Sequence, residues 1–315
     1  MTLTGPAPEI ERDRWGRPLL APRPGAKPEP YTRATTVAKT LEDQSALMAW
    51  KARMTMLGLV ARRDLLVAAA ATDVENKKEL NRIAEAAADA GGATAAATTG
   101  TALHAFTERL DRGLDVGFVP EEHRADLDAY QALGDTIGWK VHEVELFTVD
   151  HSNRVAGTAD RLLEIDGRRY IADLKTGTSV AYHHAWSVQF AIYAHALPWD
   201  VEAGCTRPWD VVPDQERALV IHLPAGKGEA YAHWIDIAAG WRAYQQSMWV
   251  RAWRKRRDLL TPWEPGTRAA TLDERIAEAP SVNALTTLWA ENQDRWTDAH
   301  TRLATARKIE LRARS

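Results

Sequence analysis

The chain has 315 residues, with 40 Lys and Arg against 43 Asp and Glu for a formal net charge of −3. That balance excludes a global positive field for recruiting nucleic acid, and 45% hydrophobic with 26% charged residues excludes a disordered or fibrous chain. Cys205 is the single cysteine, so an internal disulfide, a cysteine-based zinc finger and a four-thiolate iron–sulfur cluster are excluded too.

Seven prolines between Pro6 and Pro30 leave no room for a long helix, so residues 1–34 read as an extended, proline-rich arm. The opening MTLTGPAPEIERDRWGRP lacks the charged-then-apolar order of a secretory signal. No apolar run approaches the ~20 residues that span a bilayer. Both lead to the expectation of a cytoplasmic protein with no membrane partner. Helical texture begins at Thr36: Ser45 is a candidate N-cap, Asp64 or Thr72 could start further segments, and Asp73 to Ala90 has helical spacing that stops at Gly91-Gly92. Further helices are predicted over Ala93–Leu110 and Glu121–Thr136. Period-two patterning then gives strands over Lys140–Thr148, Val155–Ile165 and Arg168–Leu174. A helix from His183 to Leu197 follows, then strands over Glu216–Leu223 and Glu229–Asp236 and a long helix from Ala238 to about Leu260. Pro262, Pro265 and Gly266 mark a boundary, and residues 261–315 read as a small helical segment with Leu285, Leu288 and Trp289 as its apolar stripe. Residues 35–260 are the expected main domain, an α/β core with helical additions.

Asp166-Gly167 between two strand-like runs is a strong hairpin signal, because a type I′ turn needs positive φ at both central positions. That turn places Ile165 opposite Arg168 and Asp160 opposite Asp173. The same register pairs Glu164 with Arg169 and Leu162 with Ile171 on one face, and Leu163 with Tyr170 on the other. Directly opposed side chains have Cβ atoms ~4.5–5.5 Å apart, and two like charges there are destabilising. A bound cation, a shifted pKa, or exposure at a sheet edge would offset the repulsion. Lys175 projects from the same face as Asp173. Two carboxylates and an ammonium on one patch suit hydrolysis assisted by a hard divalent metal, Mg²⁺ before zinc because the candidate ligands are mainly oxygens. Alone, an Asp-x-Lys in a strand is nearly always a charged wet face, and it is the register that sets this pair apart.

His104 and Glu108 lie four apart on one helical face, as a ligand with its orienting partner or as a simple polar pair. Gln189 and Tyr193 are likewise four apart; they could touch a phosphate or a base edge, or be core groups with satisfied polar atoms. In order, the chain reads Gly100-x-x-x-His104, Gly157-x-x-Asp160, Asp173-x-Lys175, Gln189-x-x-x-Tyr193. With these four motifs it resembles the RecB-like branch of the PD-(D/E)XK nuclease superfamily, which includes CRISPR-associated and phage-encoded exonucleases.

The resemblance implies a restriction-endonuclease-like core, αβββαβ with a mixed central sheet. It implies His104, Asp160 and Asp173 as metal ligands with the Leu174 carbonyl as a further one, Lys175 as the catalytic lysine, and Gln189 and Tyr193 as DNA-positioning residues. Glu108 and Glu145 sit near motif positions as helpers. The implied activity is a Mg²⁺-dependent (or Mn²⁺-dependent) DNA exonuclease of replication, recombination or repair, of the phage-encoded kind, working in the bacterial host cytoplasm. The iron–sulfur subgroup's four cysteines are missing. No Walker A sequence GxxxxGK[ST] occurs, so no nucleotide cofactor is expected, and unwinding would fall to a separate helicase or recombinase partner.

Local charge decides DNA binding where net charge does not. Trp249 to Arg257 holds five cations and two indoles in nine residues, and on a helix Arg251, Arg254 and Lys255 share a side until Asp258. Such a segment serves phosphate contact and base stacking, or is a solvated helix end favoured by the dipole. Lys51, Arg53, Arg62 and Arg63 form a weaker patch. Lys175-Thr176-Gly177 matches a triplet of penicillin-interacting enzymes, but no serine has lysine three positions on. HExxH is absent, and opposed sheet carboxyls sit at or below the lower end of a glycosidase's usual separation. The remaining rivals are a non-catalytic DNA-binding or recombination accessory protein on the same fold, and a structural protein built from the terminal helices.

Overall fold

Among the described residues from Ile10 to Arg33 no helix forms, and the backbone runs as three two-residue strands: β1 (Leu19–Leu20), β2 (Glu29–Pro30) and β3 (Thr32–Arg33). Leu20 and Tyr31 are nonetheless buried, against Phe147, Val149 and Ala156. The computed structural model describes residues 10–263 and 270–313, and only the backbone of 95–98. It divides into two compact units, Met1–Lys255 and Arg256–Ser315.

In the first unit, five helices follow β3 as α1 (Ala34–Ala38), α2 (Ser45–Ala61), α3 (Arg63–Ala71), α4 (Lys77–Ala90) and α5 (Ala95–Asp111), and then comes α6 (Glu121–Ile137). Helix α4 starts later than its alternating charge predicts. Asp73 instead accepts from the Glu75 N–H to form a turn, and Asn76 caps the helix by accepting from Glu79 at 3.2 Å. Three long strands come next, β4 (Lys140–Asp150), β5 (Val155–Ile165) and β6 (Arg168–Lys175), followed by α7 (His183–His195). Helix α7 stops short of Leu197 because the residue before Pro198 is driven out of the helical region. Leu197–Asp200 forms β7, and Cys205–Thr206 forms β8. The hairpin β9 (Arg217–His222) and β10 (Tyr231–Asp236) leads into α8 (Ile237–Trp253).

Strand order is β10-β9-β6-β5-β4-β7-β8, with β3 off this path against β5. The sheet is mixed: β4, β5 and β6 are antiparallel, whereas β6–β9 and β3–β5 are parallel. One face carries α1, α7 and α8 over Val37, Leu162, Ile171, Phe190 and Tyr244. The other carries α5 and α6 over Leu103, Tyr130, Leu163, Tyr170 and Leu174. Leu162 and Leu163 thus feed opposite layers, as the period of two requires. The elements and their order are the expected α/β architecture, with β7 and β8 added after α7.

A further difference from expectation is at the end of α8, which stops at Trp253 and not near Leu260. Arg256 pairs with Asp258 at 2.7 Å, a two-residue spacing that opposite sides of a helix would not allow. In the second unit, α9 (Leu272–Ala277), α10 (Val282–Glu291) and α11 (Asp298–Ala313) bury Ile276, Leu285 and Leu288. Trp289, predicted in the same stripe, is about half exposed.

Strand β5 is longer than its partner on one edge. Strand β6 pairs with Arg161 to Ile165, and β3 pairs with Val155 and Ala156 on the same side. Residues 157–160 lie between them along an open edge of the central strand.

Candidate active site

The turn at Asp166-Gly167 has the positive φ at both positions (+50° and +77°) that its sequence requires. The resulting ladder pairs Ile165 with Arg168, Leu162 with Ile171 and Arg161 with Ala172. One step further on, where the ladder opens, Asp160 and Asp173 stand side by side. The Leu174 N–H donates to Asp160 Oδ2 at 2.8 Å, so a side chain takes over where the backbone partner ends. On the other edge of β5, Val144 pairs with Arg161 and Leu146 with Ala159, which sets Glu145 beside Asp160. Glu145 is held at φ +56°, in the left-handed region that a glutamate enters only under constraint. Three carboxylates therefore line up on three adjacent strands.

Cations converge on two of them. His104 on α5 places Nδ1 3.3 Å from Asp160 Oδ2, and Lys175 places Nζ 2.5 Å from Asp173 Oδ2. The Lys175 ammonium also lies 5.3 Å from the Trp186 ring centre and 5.5 Å from that of Phe190, within range of cation–π attraction. Asp173 is only 3% exposed. Burial, and then the Asp160 charge, raise its pKa despite Lys175. Burial acts the same way on Asp160, but hydrogen bonding and charge from His104 outweigh it and the net shift is downward. Burial would lower His104, yet the Asp160 hydrogen bond and the two aspartate charges raise it overall. Glu145 is pushed up to about 7, by desolvation first and by Asp160 and Glu108 next.

These groups open into a cavity of about 940 Å³ lined by His104, Asp160, Asp173, Lys175, Gln189 and Tyr193 among others. Gln189 Nε2 donates to the Tyr193 hydroxyl at 3.0 Å, linking both motif residues of α7 along one wall. The motif glycines now have a steric reason. A Cβ on Gly157 would stand 2.8 Å from the Tyr193 ring and 2.9 Å from the Ala34 Cβ, and one on Gly100 would meet Thr176 Oγ1 at 2.6 Å.

Directly behind the site, on the α5–α6 face, lies a residue that sequence reasoning missed. Arg161 is 1% exposed; its Nε donates to Asp111 at 2.5 Å and to the Tyr130 hydroxyl at 2.9 Å, and its Nη2 to Thr107 at 2.8 Å. Tyr130 in turn donates to Asp111 at 2.8 Å. An arginine on the otherwise apolar face of β5, between Ala159 and Leu163, is the available signal, since a buried guanidinium needs a carboxylate partner. Trp186, Phe190 and Glu145's place in the row also escaped prediction.

Among the described residues, no three His, Cys, Asp or Glu side chains stand together as a ready-made ion cage. The donor chemistry still fits a hard divalent cation: the buried Asp173 carboxylate, with its pKa raised by desolvation and then by Asp160, the half-buried Asp160 carboxylate, and a histidine beside them. Of the helpers, Glu108 is turned to Arg112 at 3.0 Å. Arg251 is in α8, but Arg254 caps the helix and Lys255 lies beyond it, so the predicted three-residue helical stripe does not form. Arg251 and Arg254 instead line a separate pocket without Lys255. Trp249 and Trp253 stack on each other, nearly parallel, with Trp249 63% exposed. In the weaker patch, Arg62 is bound to Asp64 at 2.6 Å.

A mixed sheet flanked by helices, with an Asp, an Asp-x-Lys and a histidine meeting at its open edge, has the restriction-endonuclease-like form of a nuclease. Residues 64–212 match the PD-(D/E)XK nuclease superfamily. The matched stretch contains every motif residue from His104 to Tyr193. Comparison with curated proteins finds no match. No helix among the described residues is long and apolar enough to cross a membrane.

Proposed function

We propose that this protein is a metal-dependent DNA exonuclease of the RecB-like branch, acting in replication, recombination or repair and of phage type. The observation that carries the reading is the meeting of Asp160, Asp173, Lys175 and His104 at one cavity beside Gln189 and Tyr193. The order of the four motifs supports the RecB-like branch and, with it, exonucleolytic action. Asp160 and Asp173, with His104 and the Leu174 carbonyl, would hold Mg²⁺ or Mn²⁺. Bound there, such an ion would supply Lewis-acid charge toward a water and the phosphoryl oxygens.

The chain's own groups do the rest. Lys175, held against Asp173 and near the rings of Trp186 and Phe190, orients the attacking water and balances charge as it develops on the phosphate. His104 fixes Asp160 in place through its Nδ1 contact. The Gln189–Tyr193 pair forms a polar ledge for the strand. A protein of this kind works with a separate helicase or recombinase where duplex must be opened.

The test is digestion of linear DNA labelled at the 5′ or the 3′ end, with Mg²⁺ and with EDTA. Stepwise loss of nucleotides from one labelled end, abolished by EDTA, is expected. Intact ends and intact single strands with folded, metal-replete protein overturn the reading.

A further inference from the structure

A second pocket, of about 280 Å³, is lined by Arg33, Thr35, Thr36, Lys39, Thr40, Gln44, Arg251 and Arg254. Four of these residues are cationic and none is a carboxylate, and none of the four forms an ion pair among the described residues. Arg33, Lys39 and Arg254 are exposed and Arg251 is half-buried, so all four charges are accessible to an anion from solvent. A second observation is independent of charge. Thr40 is 8% exposed, and its hydroxyl is buried with no hydrogen-bond partner. An orphaned donor at the wall of a cationic pocket is suited to an acceptor oxygen from a ligand. Gln44 is the single amide there, and no aromatic ring lines the pocket to stack a base, so its chemistry is that of a phosphate site.

The second pocket shares part of its wall with the catalytic cavity. Arg33 and Thr35 line both. Arg33 ends β3, whose pairing to Val155 and Ala156 fixes it at the mouth of the open β5 edge. We infer that the pocket formed by Arg33, Lys39, Thr40, Arg251 and Arg254 is a second phosphate subsite, gripping the backbone of the same strand away from the scissile position. This rests on the nuclease reading and extends it: the substrate is a strand long enough to reach both pockets, and a shorter one is held by the cavity alone. The subsite carries no base selectivity, because phosphate contacts position a strand without reading it.

The test measures binding of single-stranded oligonucleotides of increasing length, from a dinucleotide upward, by full-length protein in EDTA. The expected result is a step in affinity at the length that first fills the second pocket. In R251A/R254A the step disappears, and the log–log salt slope on long strands falls by about 0.7 for each phosphate that is no longer neutralised. R251K/R254K retains part of the step, which guards against a folding artefact. Thr40→Val is expected to raise Tm, by removing an unsatisfied buried hydroxyl, while weakening long-strand binding several-fold. A purely structural role for Thr40 would not move the two in opposite senses. Equal binding of every length by wild type and R251A/R254A overturns the subsite and leaves the nuclease reading standing. Wild-type protein that binds no strand at all overturns both.

Discussion

Asp160 and Arg161 are adjacent in the chain and point to opposite sides of the sheet, and their surroundings differ in kind. Arg161 faces α5 and α6, where Asp111, Tyr130 and Thr107 satisfy its donors at 2.5–2.9 Å. Asp160 faces the open edge of β5, beside a second buried aspartate and a glutamate whose pKa is raised to about 7. The Arg161 cluster is closed by hydrogen bonds, and Arg161 Nη1 also reaches Asp160 Oδ2 at 3.8 Å; the Asp160 side sets three carboxylates against that charge, Lys175 and His104. The difference teaches that one strand builds two kinds of polar cluster, a closed one behind the sheet and one that opens into a cavity, where the proposed metal and phosphate chemistry would lie.

The comparison breaks most visibly through catalysis. Asp173→Asn and Lys175→Ala are each expected to lower DNA cleavage by ~10³-fold or more, in single-turnover assays with Mg²⁺. Asp173→Asn should leave the apo protein at least as stable at neutral pH, since it removes a charge that burial disfavours. Normal cleavage by Asp173→Asn would refute its assigned role. The opposite pattern is expected behind the sheet. Arg161→Met should cost about 3–5 kcal/mol in urea titration by stranding Asp111, and Arg161→Met with Asp111→Leu should recover much of that stability.

Glu145 sharpens the contrast through pH. Between its ordinary value of 4.5 and its folded value of about 7, the folded chain holds a proton that the unfolded chain has released. Stability of the apo protein therefore falls as pH rises through that window, by roughly 3 kcal/mol at about 1.4 kcal/mol per unit. Glu145→Gln should flatten this stretch of the stability–pH curve, and an unchanged slope would assign it elsewhere. Gly157→Ala should cost about 1–3 kcal/mol in thermal or urea melts, because Tyr193 and Ala34 must give way. The smallest effect is expected for Gln189→Ala, about tenfold in cleavage at subsaturating DNA, since Tyr193 keeps its place in the wall.

Much of this is legible in the sequence. The Asp166-Gly167 turn alone dictates the hairpin register, and through it the meeting of Asp160 with Asp173. The period-two runs locate β5 to the residue, and β4 and β6 nearly so. What stays hidden depends on packing between distant segments. Arg161's partners come from α5 and α6, which no local pattern connects to β5. Glu145's left-handed backbone distorts a strand that reads as regular, and the orphaned Thr40 hydroxyl has meaning only beside α8. The helix α8 reads too long because a run of cations resembles a helix terminus, whereas Arg256 folds back on Asp258.

The pairing of β3 with β5 has a practical consequence for anyone trimming this protein. A version beginning at Ala34, chosen to discard a proline-rich leader, would unzip Thr32 and Arg33 from the central strand and uncover Leu146's neighbours Phe147 and Val149 where Tyr31 now covers them. Weak activity or early melting of such a shortened form would report damage to the sheet, not a regulatory role of the deleted residues.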